Sequence, residues 1–450
     1  MHMIPLNVVK NLVLMWTGDY KGLSEGKGGY ELAPTVLEAI GKACTDAGYS
    51  TPAAFGARVP NVHTQRTWFK AETWSLFCTM LGPVLLRKCF KNAAYYKHYV
   101  SLVGFYQDTL KLSIDREYVD TTLREQIYQW VLDYERLYYQ YKLDRLPFCT
   151  LPIHGLLHIP DMILHSGPMW TYWNYPIERF CGFMVRSSKS QKNPYASFIR
   201  RLRELLYNNQ IKHKYHLHDL LDLSDKIDDE KHGHIPSGYT DIRLCPPSTI
   251  PDMPLSRPEQ HALKKYIWQS FVVSEDEAKR LIPTDPKELK YWGRVRYLNN
   301  GDNMRAIQLI SESERSRMRN ATHIKYSHEV DQFAHQRNRT PVMERRSAYG
   351  QLQKILKFNL DFSRIDRPQD GSEIVTVVFV RPAKLTAENE AGMPYFRVGD
   401  YGTVEAVDIN ELSCLVACIP VLRLTRGRAL QAIYERPQAM RGEEHDDEAD

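Results

Sequence analysis

Ile374-Val-Thr-Val-Val-Phe-Val380 divides the chain. Its β-branched run predicts a strand. Tyr401-Gly-Thr-Val-Glu-Ala-Val and Leu412-Ser-Cys-Leu-Val-Ala-Cys-Ile-Pro predict two more strands downstream. Upstream, the apolar spacing is helical. Val8, Val9, Leu12, Val13 and Trp16 fall on one stripe, and Val36, Ile40 and Ala43 line a second helix over Pro34–Ala47. Tyr95, Tyr99, Leu102, Phe105, Tyr106 and Leu110 mark a third. Leu123, Ile127, Trp130, Val131, Tyr134 and Leu137 mark a helix from about Tyr118 to Tyr141, with Thr121 as its expected cap.

This pattern predicts a mainly α protein with a small C-terminal all-β module, α+β overall. The 450 residues suffice for two or three domains. A helical region is expected over 1–225, followed by a Pro-rich linker over 226–256. In that linker Cys245-Pro-Pro-Ser-Thr-Ile-Pro-Asp-Met-Pro bars a regular element. An accessory helical region is expected over 257–359, with Ala262–Phe271 its clearest helix. A small β-domain over 360–435 and a disordered acidic tail over 436–450 complete the expected order.

Composition excludes several classes of function. The eight cysteines include no CxxC pair, and Cys414 and Cys418 read as buried thiols, so the usage fits a reducing compartment. The apolar N-terminus is interrupted by Asn7, Lys10 and Asn11, and no window approaches the roughly 18 uncharged apolar residues of a membrane span. The expectation is an intracellular protein, nuclear or cytoplasmic, neither secreted nor membrane-bound. No GxSxG element, P-loop or dinucleotide fingerprint is present, so a nucleophilic hydrolase or a small-molecule cofactor has no support. The net charge is +5 although six of the last eight residues are acids, so the body is more basic than the total suggests. Such a body favours polyanionic partners.

The most informative segment runs from Leu151 to Gly182. His154 and His158 stand at i and i+4 on one helical face, Ser166-Gly-Pro168 breaks that helix, and Pro176-Ile-Glu178-Arg179 opens another. Glu178 has two readings. A carboxylate in a first helical turn is stabilised by the positive end of the helix dipole. Alternatively it is a metal-binding carboxylate presented at a helix start, although a two-cation site needs several such acids. The histidine pair reads either as packing or as a metal or DNA contact. Just downstream, Arg186, Lys189, Lys192, Arg200, Arg201, Arg203, Lys212 and Lys214 are joined by a single acid, Glu204, and interleaved with Tyr195, Phe198 and Tyr207. This pattern can track phosphates or merely solubilise a face. Arg315, Arg317, Arg319, Lys325, Arg337, Arg339, Arg345 and Arg346 form a second cluster with the same two readings.

Pro168-x-x-x-Tyr-Trp-x-Tyr-Pro-x-Glu-Arg-x-x-Gly resembles the block that closes the catalytic region of CACTA (En/Spm-type) DNA transposases, fungal members above all. Asn7-Val-Val-Lys-Asn-Leu, Trp16-Thr-Gly-Asp-Tyr-Lys-Gly-Leu23, Gly82-Pro-Val-Leu-Leu-Arg, Tyr96-Lys-His-Tyr-Val, Arg319-Asn-Ala-Thr-His-Ile-Lys-Tyr, Tyr349-Gly-Gln-Leu-Gln and Tyr401-Gly-Thr-Val-Glu are similar to further stretches of that family, in the same order. The resemblance implies an RNase H-like region with a helical insertion and an Asp, Asp, Glu triad. Glu178 would be the third acid, with His2, His154, His158 and Arg179 as candidate supporting residues. It also implies Mg or Mn for the intact parent enzyme, and DNA and transposase subunits as partners. The family's second Asp lies in an Asp-x-Met-His block, and Met1-His2 here would begin just after it, leaving the RNase H-like region partial. The expectation is therefore a C-terminal part of a cut-and-paste transposase, catalytically incomplete, with no metal or cofactor of its own. It would bind at most DNA or another transposase chain. The alternatives are a domesticated DNA-binding or interaction protein and a truncated gene model with no independent function.

Overall fold

The computed structural model describes residues 2–20, 28–187, 192–217, 233–236, 238–245, 253–298, 301–310, 318–331, 342–367, 371–422 and 429–437. A π-wound turn, Met3–Val9, runs into α1 (Lys10–Trp16). There follow α2 (Pro34–Ser50), α3 (Ala71–Leu76), α4 (Gly82–Leu85), α5 (Ala93–Thr109), α6 (Arg116–Tyr118) and α7 (Arg124–Tyr134). Then come α8 (Leu151–Leu156), α9 (Ile159–Ser166), α10 (Tyr175–Ser187) and α11 (Pro194–Lys214).

The apolar stripes of α1, α5 and α7 meet in an aromatic core. Trp16 lies edge-on to Tyr99 at 5.4 Å, and its Nε1 donates to the Tyr138 hydroxyl at 3.1 Å. His98 and Trp130 stack at 4.3 Å and are bonded twice. Trp130 Nε1 donates to the His98 carbonyl at 2.9 Å, and His98 Nε2 donates to the Trp130 carbonyl at 3.1 Å. Large rings supply the buried area while their polar handles are turned to partners. The cap of α6 differs from expectation. Asp115 accepts from the Tyr118 amide at 2.8 Å, whereas the Thr121 hydroxyl donates back to the Glu117 carbonyl at 2.7 Å. The helical segment starts one turn earlier because an aspartate at that point satisfies an orphan amide.

The second half is built on strands: β1 (Ile242–Cys245), β2 (Lys290–Trp292), β3 (Arg294–Tyr297), β4 (Asn303–Arg305), β5 (His323–Asp331) and β6 (Met343–Asp361). After these come β7 (Ser372–Glu388), β8 (Pro394–Tyr401), β9 (Glu405–Asp408), β10 (Leu412–Leu415), β11 (Ala417–Pro420) and β12 (Leu430–Tyr434). The helices α12 (Arg257–Ser270) and α13 (Glu275–Leu281) sit between β1 and β2. Strands β1, β3 and β4 form a small sheet, and the remaining nine form a large one with the path β10-β5-β6-β7-β8-β12-β11, to which β2 adds on β6 and β9 on β7. Every described pairing is antiparallel.

The α+β class holds, but the weight of the β half is larger than expected. The expectation of a helical region over 257–359 is corrected: among the described residues only α12 and α13 are α-helical there, and five strands, β2 to β6, follow. Leu352, Ile355 and Leu356 carry a helical spacing in the sequence. That spacing arises because the centre of β6, from Gly350 to Phe358, is largely buried on both faces and a β-bulge shifts its register between Leu352 and Lys354. The expected linker over 226–256 contains β1, in which Ile242 and Leu244 are buried against β3. The strands are therefore not confined to 360–435. The acidic tail expected over 436–450 lies outside the described residues from 438 onward.

Helices and large sheet share one continuous core, from Ile4 to Tyr434. Polar ties cross it. Arg319 Nε donates to the Thr51 carbonyl at 2.7 Å and its Nη1 to the Gly56 carbonyl at 2.5 Å. The Tyr434 hydroxyl donates to Thr79 Oγ1 at 3.0 Å, and Arg87 meets Glu390 at 2.7 Å. The most buried ion pair is Lys354 on β6 with Glu259 on α12, Nζ to Oε1 2.9 Å, with side chains 6% and 4% exposed. The same carboxylate accepts from the Ser256 amide at 2.8 Å, closing a capping box.

Two predictions follow from this core. Lys354→Met leaves a buried carboxylate without its counter-ion and should cost about 3–5 kcal/mol in chemical denaturation, with Glu259→Gln/Lys354→Met less destabilised than the sum of the singles. A Lys354→Met protein within roughly 0.5 kcal/mol of wild type would contradict the pair's importance. The second concerns His98 and His323, both fully buried, whose pKa values burial lowers to about 4. The folded state then binds fewer protons than the unfolded chain between the ordinary imidazole value of 6.5 and about 4. Stability contributed by these two rings is full above pH 6.5 and is lost on acidification. The melting temperature should fall between pH 6.5 and 5, above the carboxylate range, and His98→Gln and His323→Gln should each flatten that fall. Wild-type melting unchanged across the interval would refute it.

Candidate nucleic-acid interface

The segment Leu151–Lys214 is built from two helical pairs. Pro at the start of α8 and α9 fits first-turn positions where no amide partner is needed. Gly167, at φ +84°, turns the chain out of α9, a conformation an L side chain resists. Trp170 Nε1 donates to the Leu112 carbonyl at 2.7 Å and fixes the connection that leads into α10.

Glu178 lies in the first turn of α10, its amide donating to the Asn174 carbonyl at 2.8 Å. Its carboxylate faces His2 Nε2 at 3.5 Å, both side chains about half exposed. The N-terminal turn reaches this point by crossing α8 at Gly155, where a Cβ would sit 2.8 Å from Met3 Sδ. His154 and His158 face one another, Nε2 to Nε2 3.2 Å. The structure thus brings the sequence-flagged residues together as two pairs, His2 with Glu178 and His154 with His158. Arg179 is exposed. Among the described residues no group of three or more His, Cys, Asp or Glu side chains is placed to hold a metal ion. The other acids of this region are committed elsewhere. Asp19 pairs with Arg66, while Asp120 and Asp161 are both held by Arg124 at 2.8 Å.

The helices α10 and α11 form a hairpin that stands largely in solvent. Arg201 lies over the Phe183 ring at 5.6 Å and joins the two helices. On α11, Tyr195, Ile199, Leu202 and Leu206 are exposed at i, i+4, i+7 and i+11, an apolar stripe left uncovered by the described residues. Beside it stand Arg200, Arg203 and Lys214, with Arg186 and Lys192 near the hairpin turn, all exposed, and Lys212 half-buried. Glu204 approaches Arg200 at 3.6 Å and Arg201 at 3.5 Å. Lys189 lies outside the described residues.

The second basic cluster behaves differently. Arg319 is spent on the carbonyls of Thr51 and Gly56, Lys325 pairs with Glu435 at 3.0 Å, Arg345 with Glu411 at 2.8 Å and Arg346 with Glu344 at 2.6 Å. Its other members, Arg315, Arg317, Arg337 and Arg339, lie outside the described residues. Sequence proximity of cations does not reveal such neutralisation, because Lys325 and Glu435 are 110 residues apart.

A feature that the sequence did not flag is a groove of about 860 Å³ between α5 and α7, lined by Lys97, Ser101, Thr121, Glu125, Gln129 and Arg136. Glu125 accepts from Gln129 Nε2 at 2.7 Å, which uses part of its polar wall. The i, i+4 spacing of these two residues is the signal that could have marked the wall. Among the described residues no helix is long and apolar enough to cross a membrane. No protein-family model, no curated protein and no solved structure matches the chain.

Proposed function

We propose that this chain is a transposase-related protein that binds duplex DNA through the α10–α11 hairpin. The observation that carries the reading is electrostatic. From Tyr175 to Lys214 the described cations Arg179, Arg186, Lys192, Arg200, Arg201, Arg203, Lys212 and Lys214 face only two acids, Glu178 and Glu204. Of the described cations of the second cluster, by contrast, Lys325, Arg345 and Arg346 are paired with carboxylates and Arg319 with backbone carbonyls. Exposed guanidinium and ammonium groups along a helix neutralise phosphates and release counterions, which favours binding with little regard to base sequence. The resemblance of Pro168–Gly182 and the stretches around it to CACTA transposases supports duplex DNA as the polyanion. In this reading Glu178 occupies the family's third-acid position, and Mg or Mn is the metal that the resemblance implies for the intact parent enzyme.

A second reading rests on the apolar stripe of α11. Tyr195, Ile199, Leu202 and Leu206 suit the face of a partner protein, with a transposase subunit the partner implied by the resemblance. Leu202→Gln/Leu206→Gln separates the two readings, since it removes the apolar contact without changing the charge of the helix.

For DNA binding, fluorescence anisotropy of a labelled 30-base-pair duplex is the direct assay. With about four phosphate contacts, affinity should fall roughly hundredfold between 50 and 200 mM salt. Arg200→Gln/Arg203→Gln/Lys214→Gln should weaken low-salt binding about tenfold or more and flatten the salt slope. Arg345→Gln/Arg346→Gln should leave both unchanged. A salt-independent affinity, or equal losses from the triple and the double variant, would contradict the assignment.

A further inference from the structure

We propose that His154 and His158 form a two-imidazole clamp for a borderline divalent transition-metal ion such as zinc, set across the break between α8 and α9. His154 belongs to α8, and His158 is the residue that caps α9. The intervening turn at Leu157 and His158 interrupts the helix, yet the two rings still converge, with Nε2 atoms 3.2 Å apart and ring planes at 79°. Both side chains are exposed, and each Nε2 has the other as its partner.

The separation is what a shared ion requires. An ion about 2.05 Å from each nitrogen, the usual zinc–imidazole distance, would subtend an angle of roughly 100° at this spacing. That angle lies between octahedral and tetrahedral values. Two neutral imidazoles suit zinc, copper or nickel and serve magnesium poorly, because magnesium prefers hard oxygen ligands. Since no third metal-ligating side chain converges on the pair among the described residues, the remaining positions would be filled by water or by a partner's group. The clamp is therefore an open, exchangeable site rather than a closed structural centre. Its physical effect is to lock the angle between α8 and α9, the pair that leads into the hairpin. This inference is independent of DNA binding and stands on the histidine geometry alone.

Isothermal titration of the full chain with zinc chloride at pH 7.5, beside magnesium chloride, tests it. Expected are one zinc site per chain and no response to magnesium. His154→Ala and His158→Ala should each lower zinc affinity about tenfold or more, since loss of a supporting residue alone typically costs that much. His261→Ala, an exposed histidine elsewhere, should leave it unchanged. Both variants are surface changes, and their circular dichroism should match wild type. Absence of zinc binding, or zinc binding indifferent to both His154→Ala and His158→Ala, would overturn the proposal.

Discussion

The centre of strand β6, from Gly350 to Phe358, is largely buried on both of its faces, and that constraint governs the rest of the β half. A strand in this position cannot turn its polar groups to water. Each must find a partner inside the protein or cost several kcal/mol. Lys354 therefore meets Glu259, which simultaneously closes the cap of α12, so one carboxylate fixes a helix start against the centre of the sheet. Gln353 donates to the Gln351 carbonyl, and Gly350 lets β7 approach where a Cβ would meet Val380 at 2.6 Å. Strands β5, β7 and β2 all align on β6 through these contacts. The helical half then packs on the same sheet, with α2 against β11 and Arg319 fastened to the carbonyls that follow α2.

The α10–α11 hairpin is governed by the opposite condition. It stands apart from the core and keeps both its cations and an apolar stripe in solvent. In the sheet, Lys354 and Lys325 are matched by carboxylates distant in sequence, Glu259 and Glu435, because an unpaired charge at a packed surface is costly. At the hairpin no such pressure acts. A net positive surface of this kind raises local phosphate concentration and association rate. An uncovered row of Tyr195, Ile199, Leu202 and Leu206 adds area that a second macromolecule can cover. Charge and apolar surface occupy neighbouring faces of one helix, so DNA contact and protein contact need not exclude each other.

How much of this was legible in the sequence varied with the physics of each element. The helices around Trp16, Tyr99 and Trp130 were readable because each buries one face, and one-faced burial imposes a 3.6-residue period. Strand β6 was not, since burial of both faces and a bulge destroyed its alternation and left Leu352, Ile355 and Leu356 with a helical spacing. Strand β5 could have been found: Ile324 and Tyr326 are buried between more polar neighbours in plain alternation. At the site, the i, i+4 spacing brought His154 and His158 together but placed them on one helix, whereas the helix breaks between them at Leu157 and His158; Pro176 marked the first-turn position of Glu178. The approach of His2 to Glu178 was suggested by the resemblance alone and not by spacing, because it depends on how the N-terminal turn crosses Gly155. The neutralisation of Lys325 and Arg345 by distant acids was invisible.

The central claim is that phosphate contact is concentrated on one helical hairpin and not spread over a generally basic surface. Hydrogen–deuterium exchange of the chain with and without duplex DNA measures this most directly, residue segment by residue segment. Protection should be confined to peptides spanning 175–214. Protection that falls instead on the large sheet around Arg345 and Arg346, or that spreads evenly over the chain, would contradict the account.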